Sequence, residues 1–530
     1  MRGRPAAPAG QRFDVAVIGG GINGAGIARE AALAGYRTLL VERLDFGAGT
    51  TSRATRLIHG GLRYLEHGEL GLVHESLADR EELVRTAPHL VRPLRLLAPV
   101  YAGDARPPWK VRAGLTLYDA LSFRKSLPRH RAVPVRAMGA CEPGLNRDGL
   151  RAAFTFYDAQ VEFPERLVIE AVRDLVEAGG VALNHTSCVG LISPVHALRG
   201  LSLRDDQTAE TFEIETKVAV NAAGPWADEV LAGSDAERHE RLIGGTKGSH
   251  LVVAWPGAPR QAIFASARRD GRPFFILPWH GNTLVGTTDL RYDGDPSAAR
   301  CTPDELAYLL EEATRLFPGS PLQREHVLYT YSGVRPLPYT PERDERSITR
   351  SHFIIDHVKR GGPKGLLSIV GGKLTTYRSL ARLSLQAIAR HATPRTLEAR
   401  GGGREAGSWE LDAVQDAAAG PLALYGARAG EVRAIVEQEA ALGEPICAHN
   451  PDVLGQVAYA AEREGAATLA DALLRRLPIG WSACHGLDGA GRAARVMASR
   501  LGWDDDRVAG EVAAYERELA QTLVPVEAIG

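Results

Sequence analysis

The sequence predicts an α/β protein: a Rossmann-like dinucleotide-binding domain, interrupted by an inserted antiparallel-sheet domain and followed by an α-helical C-terminal domain. Three observations predict it. "VIGGGINGAGIA" sets Gly19-x-Gly21-x-x-Gly24 between an apolar strand and a helix. Between about 246 and 335 the pattern turns to short alternating strands rich in Gly, Pro and aromatic residues ("SHLVVAW", "PFFILPW", "NTLVGTTD"). Beyond 408, Ala/Leu/Glu/Arg-rich helical periodicity dominates. A chain of 530 residues exceeds one ordinary core, so more than one domain is required in any case.

In chain order, Phe13–Ile18 reads as a buried strand, "AGIAREAALAGY" as a helix ending near Gly35, and "RTLLVE" as the next strand. Leu70, Val73, Leu77, Val84 and Ala87 recur at helical spacing, so 70–87 is an amphipathic helix. "VEFPERLVIEAVRDLVEAGGVAL" reads as helix then strand, "TKVAVNAAGPWADEVLAG" as strand, turn and helix. "GLLSIVGGKLTTYRSLARLSLQAIARHA" repeats the strand, glycine turn and helix, and "ARGGGREAG" (399–407) reads as a linker. A last helix spans 504–523, capped by Asp504 or Asp505, with Val508, Val512, Tyr515 and Leu519 on one face. The expected domains are 12–100, 160–245 and 340–398 for the dinucleotide, 101–159 and 246–339 for the substrate, and 408–530 for the C-terminal helices.

Composition excludes several classes. Hydrophobic residues at 45% and charged residues at 24% describe a soluble globular chain, and a formal net charge of −1 gives no argument for nucleic acid. No apolar run reaches the ~18 residues of a membrane span. "MRGRPAAPAGQR" runs directly into a strand, so no signal peptide is expected. Cys141, Cys188, Cys301, Cys447 and Cys484 lack CxxC spacing, which predicts free thiols in a reducing cytoplasm, with neither a disulfide frame nor a metal site.

The fingerprint glycines each have a reason: a tight turn at Gly19, approach of a pyrophosphate at Gly21, and helix–strand packing at Gly24, with the helix N-terminus facing the phosphates. Glu42 ends the next strand 18 residues past Gly24, where a carboxylate accepts ribose hydroxyls. The fingerprint alone does not choose between NAD and FAD. The further glycine turns "NAAGPWAD" (221–228) and "VGGKLTTY" (370–377) let first, middle and last crossovers meet one long ligand, which suits FAD. The last turn would bring helix N–H groups to the flavin pyrimidine.

"GGGINGAGIA", "TTSRATRLIHGGLRYLE", "NAAGPWAD", "KGSHLVV", "VGTTD", "YSGVRPLP", "SITR" and "GGKLTTYR" occur in that order, and "ATLADALLRR" (467–476) follows. This run resembles the FAD-dependent, quinone-linked glycerol-3-phosphate dehydrogenases over essentially the whole chain. The resemblance implies a glutathione-reductase/amino-acid-oxidase-like fold and oxidation of sn-glycerol 3-phosphate to dihydroxyacetone phosphate, with electrons passing to a membrane quinone. It implies a cofactor surface of Gly19, Gly21, Ile22, Asn23, Gly24, Glu42, Arg43, Thr51, Ser52, Thr55, Arg56, Leu57, His59, Gly60, Gly61, Ala223, Gly224, Trp226, Gly372, Lys373, Leu374 and Thr375. Three departures stand out. Arg56 replaces a common lysine, Leu477-Pro478 replaces Arg-Thr after "LLRR", and no long insertion of the kind often carried by glycerophosphate oxidases is present.

A phosphate needs cationic donors, and arginine's fork suits it best. Arg63, Arg335, Arg350 and Lys373, with Tyr64 as neutral donor, are the substrate candidates. A single arginine is usually a surface ion pair, but Arg335 is hemmed by aromatic, glycine and proline residues in "YSGVRPLP". For the alcohol proton the candidates are His250 and His59; His250 is taken as the base, and His59 as a group orienting the ring. In "LIHGGLRYLE" the glycines are read as letting backbone approach the flavin while Arg63 and Tyr64 reach substrate. The oxygen-using oxidase and a non-catalytic flavin-binding protein are the alternatives. The expected location is the cytoplasmic face of the membrane, peripherally bound. The basic segment 106–136 is the candidate anchor, with Arg106, Lys110, Arg112, Arg124, Lys125, Arg129, Arg131 and Arg136 among Trp109, Leu115, Tyr118, Leu121 and Phe123. A homodimer is left open.

Overall fold

A computed structural model describes residues 5–122, 125–194, 197–232, 240–342, 348–394 and 420–525. Its first sheet runs Leu366–Val370, Thr211–Asn221, Arg12–Ile18, Thr38–Val41, Val181–Leu183, all parallel, with Phe353–Asp356 antiparallel at one edge. These strands are apolar on both faces because helices cover the sheet. Ile22–Leu33 packs between Pro164–Glu177 and Tyr377–Ile388. Ile18 pairs with both Val41 and Asn221, so the carboxyl ends of the central strands lie level and their loops open on one edge. That edge is where an open α/β sheet takes its ligand.

The second sheet has ten strands, mostly antiparallel. Thr246–Val253 lies between Asn282–Gly286 and Val327–Arg335, which sets His250 opposite Gly286 and Tyr331, and Thr246 opposite Arg335. Leu57–Ile58 and Val91–Tyr101 also join this sheet, so the change of sheet does not coincide with a boundary at 100. Helix Pro303–Leu316 interrupts what the pattern read as strands. "TPDE" is its start signal: Thr302 caps the Glu305 amide in a reciprocal capping box, with Pro303 at the first position.

The C-terminal helices Ala429–Gln438, Leu454–Arg463, Ala490–Leu501 and Asp505–Leu519 share one apolar core with the second sheet. Asp504 caps the last of these, its side chain accepting from the Arg507 amide. Trp481 packs against Trp279, Tyr329 and Tyr331 of the sheet. Arg475 and Arg476 reach the first domain, donating to Asp45 at 3.0 and 2.6 Å, so "LLRR" keeps its contacts despite the following Leu477-Pro478. The expected linker 399–407 lies outside the described residues.

Candidate active site

The strand Arg12–Ile18 delivers Gly19 into a left-handed conformation (φ 107°) that a side chain rarely adopts. A Cβ at Gly24 would sit 1.8 Å from the Gly19 carbonyl oxygen, so Gly24 exists for helix–strand packing and does not face the cavity. At Gly21 a Cβ would meet only Thr51 Oγ1, at 3.4 Å, which leaves that backbone open on the ligand side. Thr51 Oγ1 accepts from the Ile22 amide (3.1 Å). The Glu42 carboxylate accepts from the amides of Gly20 (2.6 Å) and Leu44 (2.9 Å), while burial pushes its pKa up against those two bonds.

Along the carboxyl edge runs a cavity of about 390 Å³. Gly19, Gly21, Ile22, Asn23, Glu42, Arg43 and Thr51 line it from the first crossover, Ala223, Gly224 and Trp226 from the middle one, and Gly372, Lys373 and Leu374 from the last. The residues fit FAD on three counts. The cavity touches all three glycine turns; the open Gly21 backbone leads to a helix N-terminus; and Asn23 Oδ1 and Trp226 Nε1, both buried in lining residues, have no protein partner. Arg43 stacks 4.5 Å above Trp226 and pairs with Glu229. Sequence reading missed the wall Thr186–Val189 and Arg204, since it ended that strand region at Leu183.

Several expected cofactor residues turn away from this cavity. Ser52 Oγ donates to the Gly47 carbonyl, and Thr55 Oγ1 lies 2.9 Å from His250 Nε2. Arg56 is fully buried at φ 61° and donates to Glu165 (3.2 Å), to the Glu162 carbonyl and to the Ser52 carbonyl. Its guanidinium also lies over Trp279 (4.3 Å) and Trp481 (5.0 Å), so it joins three parts of the fold. Leu57 is buried in the core shared by the second sheet and the C-terminal helices. The glycines of "LIHGG" answer to packing: a Cβ at Gly60 would lie 2.5 Å from Leu77 and 2.6 Å from Tyr118 Oη, and one at Gly61 (φ 78°) 2.0 Å from the Tyr64 ring. Close approach of the chain to itself gives both glycines a packing reason. His59 and Thr375 tie their segments together, Thr375 Oγ1 accepting from the His59 amide (3.1 Å).

The substrate candidates do converge. Asp289, from "VGTTD", takes Arg335 Nη1 on one oxygen (3.0 Å) and Arg350 Nη2 on the other (2.8 Å). Against the cost of burial, those two guanidiniums hold the Asp289 carboxyl below its ordinary value. Arg335 Nη2 also donates to Thr287 Oγ1 (3.1 Å). Burial lowers the Arg63 and Arg335 pKa values, and in both the charge of Arg350 adds to it. Tyr64 lies within reach of Arg63, Arg335 and Arg350, and burial still raises its pKa. Lys373 Nζ sits 3.8 Å over the Tyr64 ring and 3.2 Å from Ser76 Oγ. Burial lowers Lys373 to about 7, Arg350 adding to the shift and Glu69 and Glu75 opposing it. Asp289 is the residue sequence reasoning passed over, although its motif was in view.

The two histidines differ. His250 is 1% exposed, its ring stacked on Tyr331 (4.8 Å) with Gly286 pressed against the other face. Burial, with Arg335 and Arg56 nearby, drives its pKa well below 6.5. An imidazole so enclosed stays neutral and supplies no ionisation near neutral pH, which corrects the expectation of a neutral-pH limb from His250. His59 is half-buried; burial lowers it to about 4, Lys373 and Arg80 adding and Asp158 opposing.

A family model described as "FAD dependent oxidoreductase" matches residues 14–378, and one described as "C-terminal domain of alpha-glycerophosphate oxidase" matches 368–508. The chain is 41% identical over 544 residues to a glycerol-3-phosphate dehydrogenase of Synechocystis sp., covering 97% of each. It is similar to the solved glycerol-3-phosphate dehydrogenase of Bacillus halodurans complexed with FAD (TM-score 0.75, 28% identity, 98% of this chain and 97% of that one). An L-alpha-glycerophosphate oxidase of Mycoplasma pneumoniae with FAD bound shares the fold at TM-score 0.56 and 17% identity, over 73% of this chain and 97% of that one.

Proposed function

The chain belongs to the FAD-dependent glycerol-3-phosphate dehydrogenase family, with FAD as its cofactor, and on that premise we propose that it oxidises sn-glycerol 3-phosphate to dihydroxyacetone phosphate and passes the electrons to a membrane quinone. One observation carries the substrate: Arg63, Arg335, Arg350 and Lys373 gather around Tyr64, with the Asp289 carboxylate bridging Arg335 and Arg350. Four cations from separate segments converging on one neutral donor suit a phosphate dianion.

Gly19, Gly21, Ile22, Asn23 and Glu42 would hold the dinucleotide, and Gly372 and Leu374 the flavin end. When bound, FAD supplies a two-electron acceptor for the hydride leaving the substrate carbon. Asp289 fixes two guanidiniums, so their remaining N–H groups are oriented before the phosphate arrives. Tyr64 is kept protonated by burial and donates to a substrate oxygen. We assign the alcohol proton to His59 in place of His250: it is less enclosed and borne on the segment that carries Arg63 and Tyr64. His250 positions Thr55 and the Tyr331 ring.

Support for the quinone comes from helix Pro108–Leu121. Trp109 is 72% exposed on it, and an apolar cavity of about 270 Å³ lies between this helix, Leu62 and Arg63. Among the described residues no helix is long and apolar enough to cross a membrane, so a bilayer quinone requires surface contact. The charge surplus is smaller than the sequence suggested: Glu66 pairs with Arg106 and Lys110, and Asp119 with Lys125. Phe123 and Arg124 lie outside the described residues. The test is reoxidation of the substrate-reduced holoenzyme, with and without anionic vesicles. Faster turnover with a vesicle-borne quinone than with oxygen supports the reading. Fast oxygen consumption with peroxide release, insensitive to vesicles, makes it an oxidase.

A further inference from the structure

The C-terminal domain brings together four side chains that the reaction does not use. Cys447 ends strand Pro445–Cys447 and His449 sits in the hairpin turn that follows. Cys484 and Asp488 lie in the turn leading to helix Ala490–Leu501. One ligand atom from each of the four falls within 4.8 Å of every other. We propose that Cys447, His449, Cys484 and Asp488 form a tetrahedral site for a zinc ion that clamps this hairpin to the turn.

The spacings match the ion. Two Zn–S bonds of ~2.3 Å at the tetrahedral angle set the sulfurs ~3.8 Å apart, and the two Sγ atoms are 4.0 Å apart. Bonds of ~2.0–2.1 Å to nitrogen and oxygen imply ~3.3 Å between those ligands, and His449 Nδ1 lies 3.5 Å from Asp488 Oδ2. Two thiolates, an imidazole and a carboxylate form a mixed soft and borderline donor set that suits zinc better than magnesium or calcium. A second observation points the same way: Asn450 Nδ2 lies 3.2 Å from Cys447 Sγ and 3.3 Å from Cys484 Sγ, and the Gly486 amide donates to Cys484 Sγ (3.4 Å). N–H groups aimed at both sulfurs stabilise thiolates, as outer partners of metal ligands do. The segments are also pressed together, since a Cβ at Gly489 would lie 2.1 Å from the Ile446 carbonyl oxygen.

Binding releases the two thiol protons to solvent and changes no oxidation state. The clamp would hold the segment that begins at Trp481, whose ring packs on Tyr331 of the substrate sheet. Its role is therefore structural, and its readouts need not include turnover.

The experiment measures zinc by mass spectrometry in the full-length FAD-loaded enzyme after dialysis, then counts thiols and records the spectrum after exchange with Co²⁺. The proposal expects about one zinc per chain, sulfur-to-cobalt charge-transfer bands, and two thiols that become reactive only when a chelator strips the metal. Cys484→Ser should abolish the bands. Asp488→Asn, at the exposed rim and so least able to disturb folding, should weaken zinc binding at least ~10-fold while FAD content stays unchanged. Absence of zinc after reconstitution, with both thiols reactive throughout, overturns the proposal. So does a Cys447–Cys484 disulfide in the protein as purified, or an Asp488→Asn variant that binds zinc as tightly as the parent.

Discussion

Two groups of buried arginines differ in what they join: one ties domains together, and the other converges on Tyr64. At the domain junction Arg475 and Arg476 face Asp45, Asp471 and Glu518, while Arg166 and Arg428 face Glu170, Glu464, Asp174 and Glu177. At the proposed substrate cluster Arg335 and Arg350 share Asp289, with Arg63 and Lys373 nearby. Both environments are desolvated. The first group spans domains through paired carboxylates; the second brings cations from separate segments to one point, where an anion can be met.

The sharpest break in that comparison is Asp45→Ala, which removes the carboxylate paired with buried Arg476 and one of the three paired with Arg475. It should cost ~3–5 kcal/mol of stability, read by denaturant unfolding. A change under ~1 kcal/mol would show that the junction tolerates unpaired charge. Arg335→Ala is the counterpart: kcat/KM should fall at least ~100-fold, about 2.7 kcal/mol, while the fold persists because Asp289 keeps Arg350 as its partner. Arg335→Lys should recover little, since a point charge lacks the fork. Arg56→Lys tests the other side, losing ~1–3 kcal/mol of stability through its bonds to Glu165 and two carbonyls, with FAD content and KM unchanged. A rise in KM would return Arg56 to the site.

The smallest effect is pH dependence. In the ligand-free site Lys373 loses its charge as pH rises through about 7, so KM for the dianionic substrate should climb above that point. One proton limits the slope to ~10-fold per pH unit. Lys373→Arg should flatten the curve, and a KM independent of pH from 6 to 9 would remove Lys373 from phosphate binding. His59→Asn should depress kcat at every pH above 5, since the imidazole it replaces is neutral there. His250→Asn should leave the profile's shape unchanged.

The cofactor cradle was legible in the sequence because its logic is local: glycine spacing, a strand before and a helix after. The second sheet and the terminal helices were legible from period alone, save the helix at 303–316, whose capping box was there to be read. What escaped was every pairing across long separations. Nothing near Arg56 names Glu165, 109 residues away, so a buried ion pair read as a cofactor contact. Gly60 and Gly61 looked like ligand-facing glycines because Leu77, Tyr118 and the Tyr64 ring meet them only in three dimensions. Cys447 and Cys484 looked solitary for the same reason. Asp289 carries no local signal in "VGTTD", because it holds two arginines 46 and 61 residues away.

The central claim is that the cluster around Tyr64, and not the arginines of the domain junction, receives the substrate phosphate. Parallel anaerobic titrations of FAD-loaded parent, Arg335→Ala and Arg56→Lys with sn-glycerol 3-phosphate, followed by flavin absorbance, test it most directly. The account predicts bleaching at comparable substrate concentrations in the parent and Arg56→Lys, and none in Arg335→Ala at a hundredfold higher concentration. Bleaching of Arg335→Ala at the parent's concentrations, or failure of the parent itself to bleach, would contradict it.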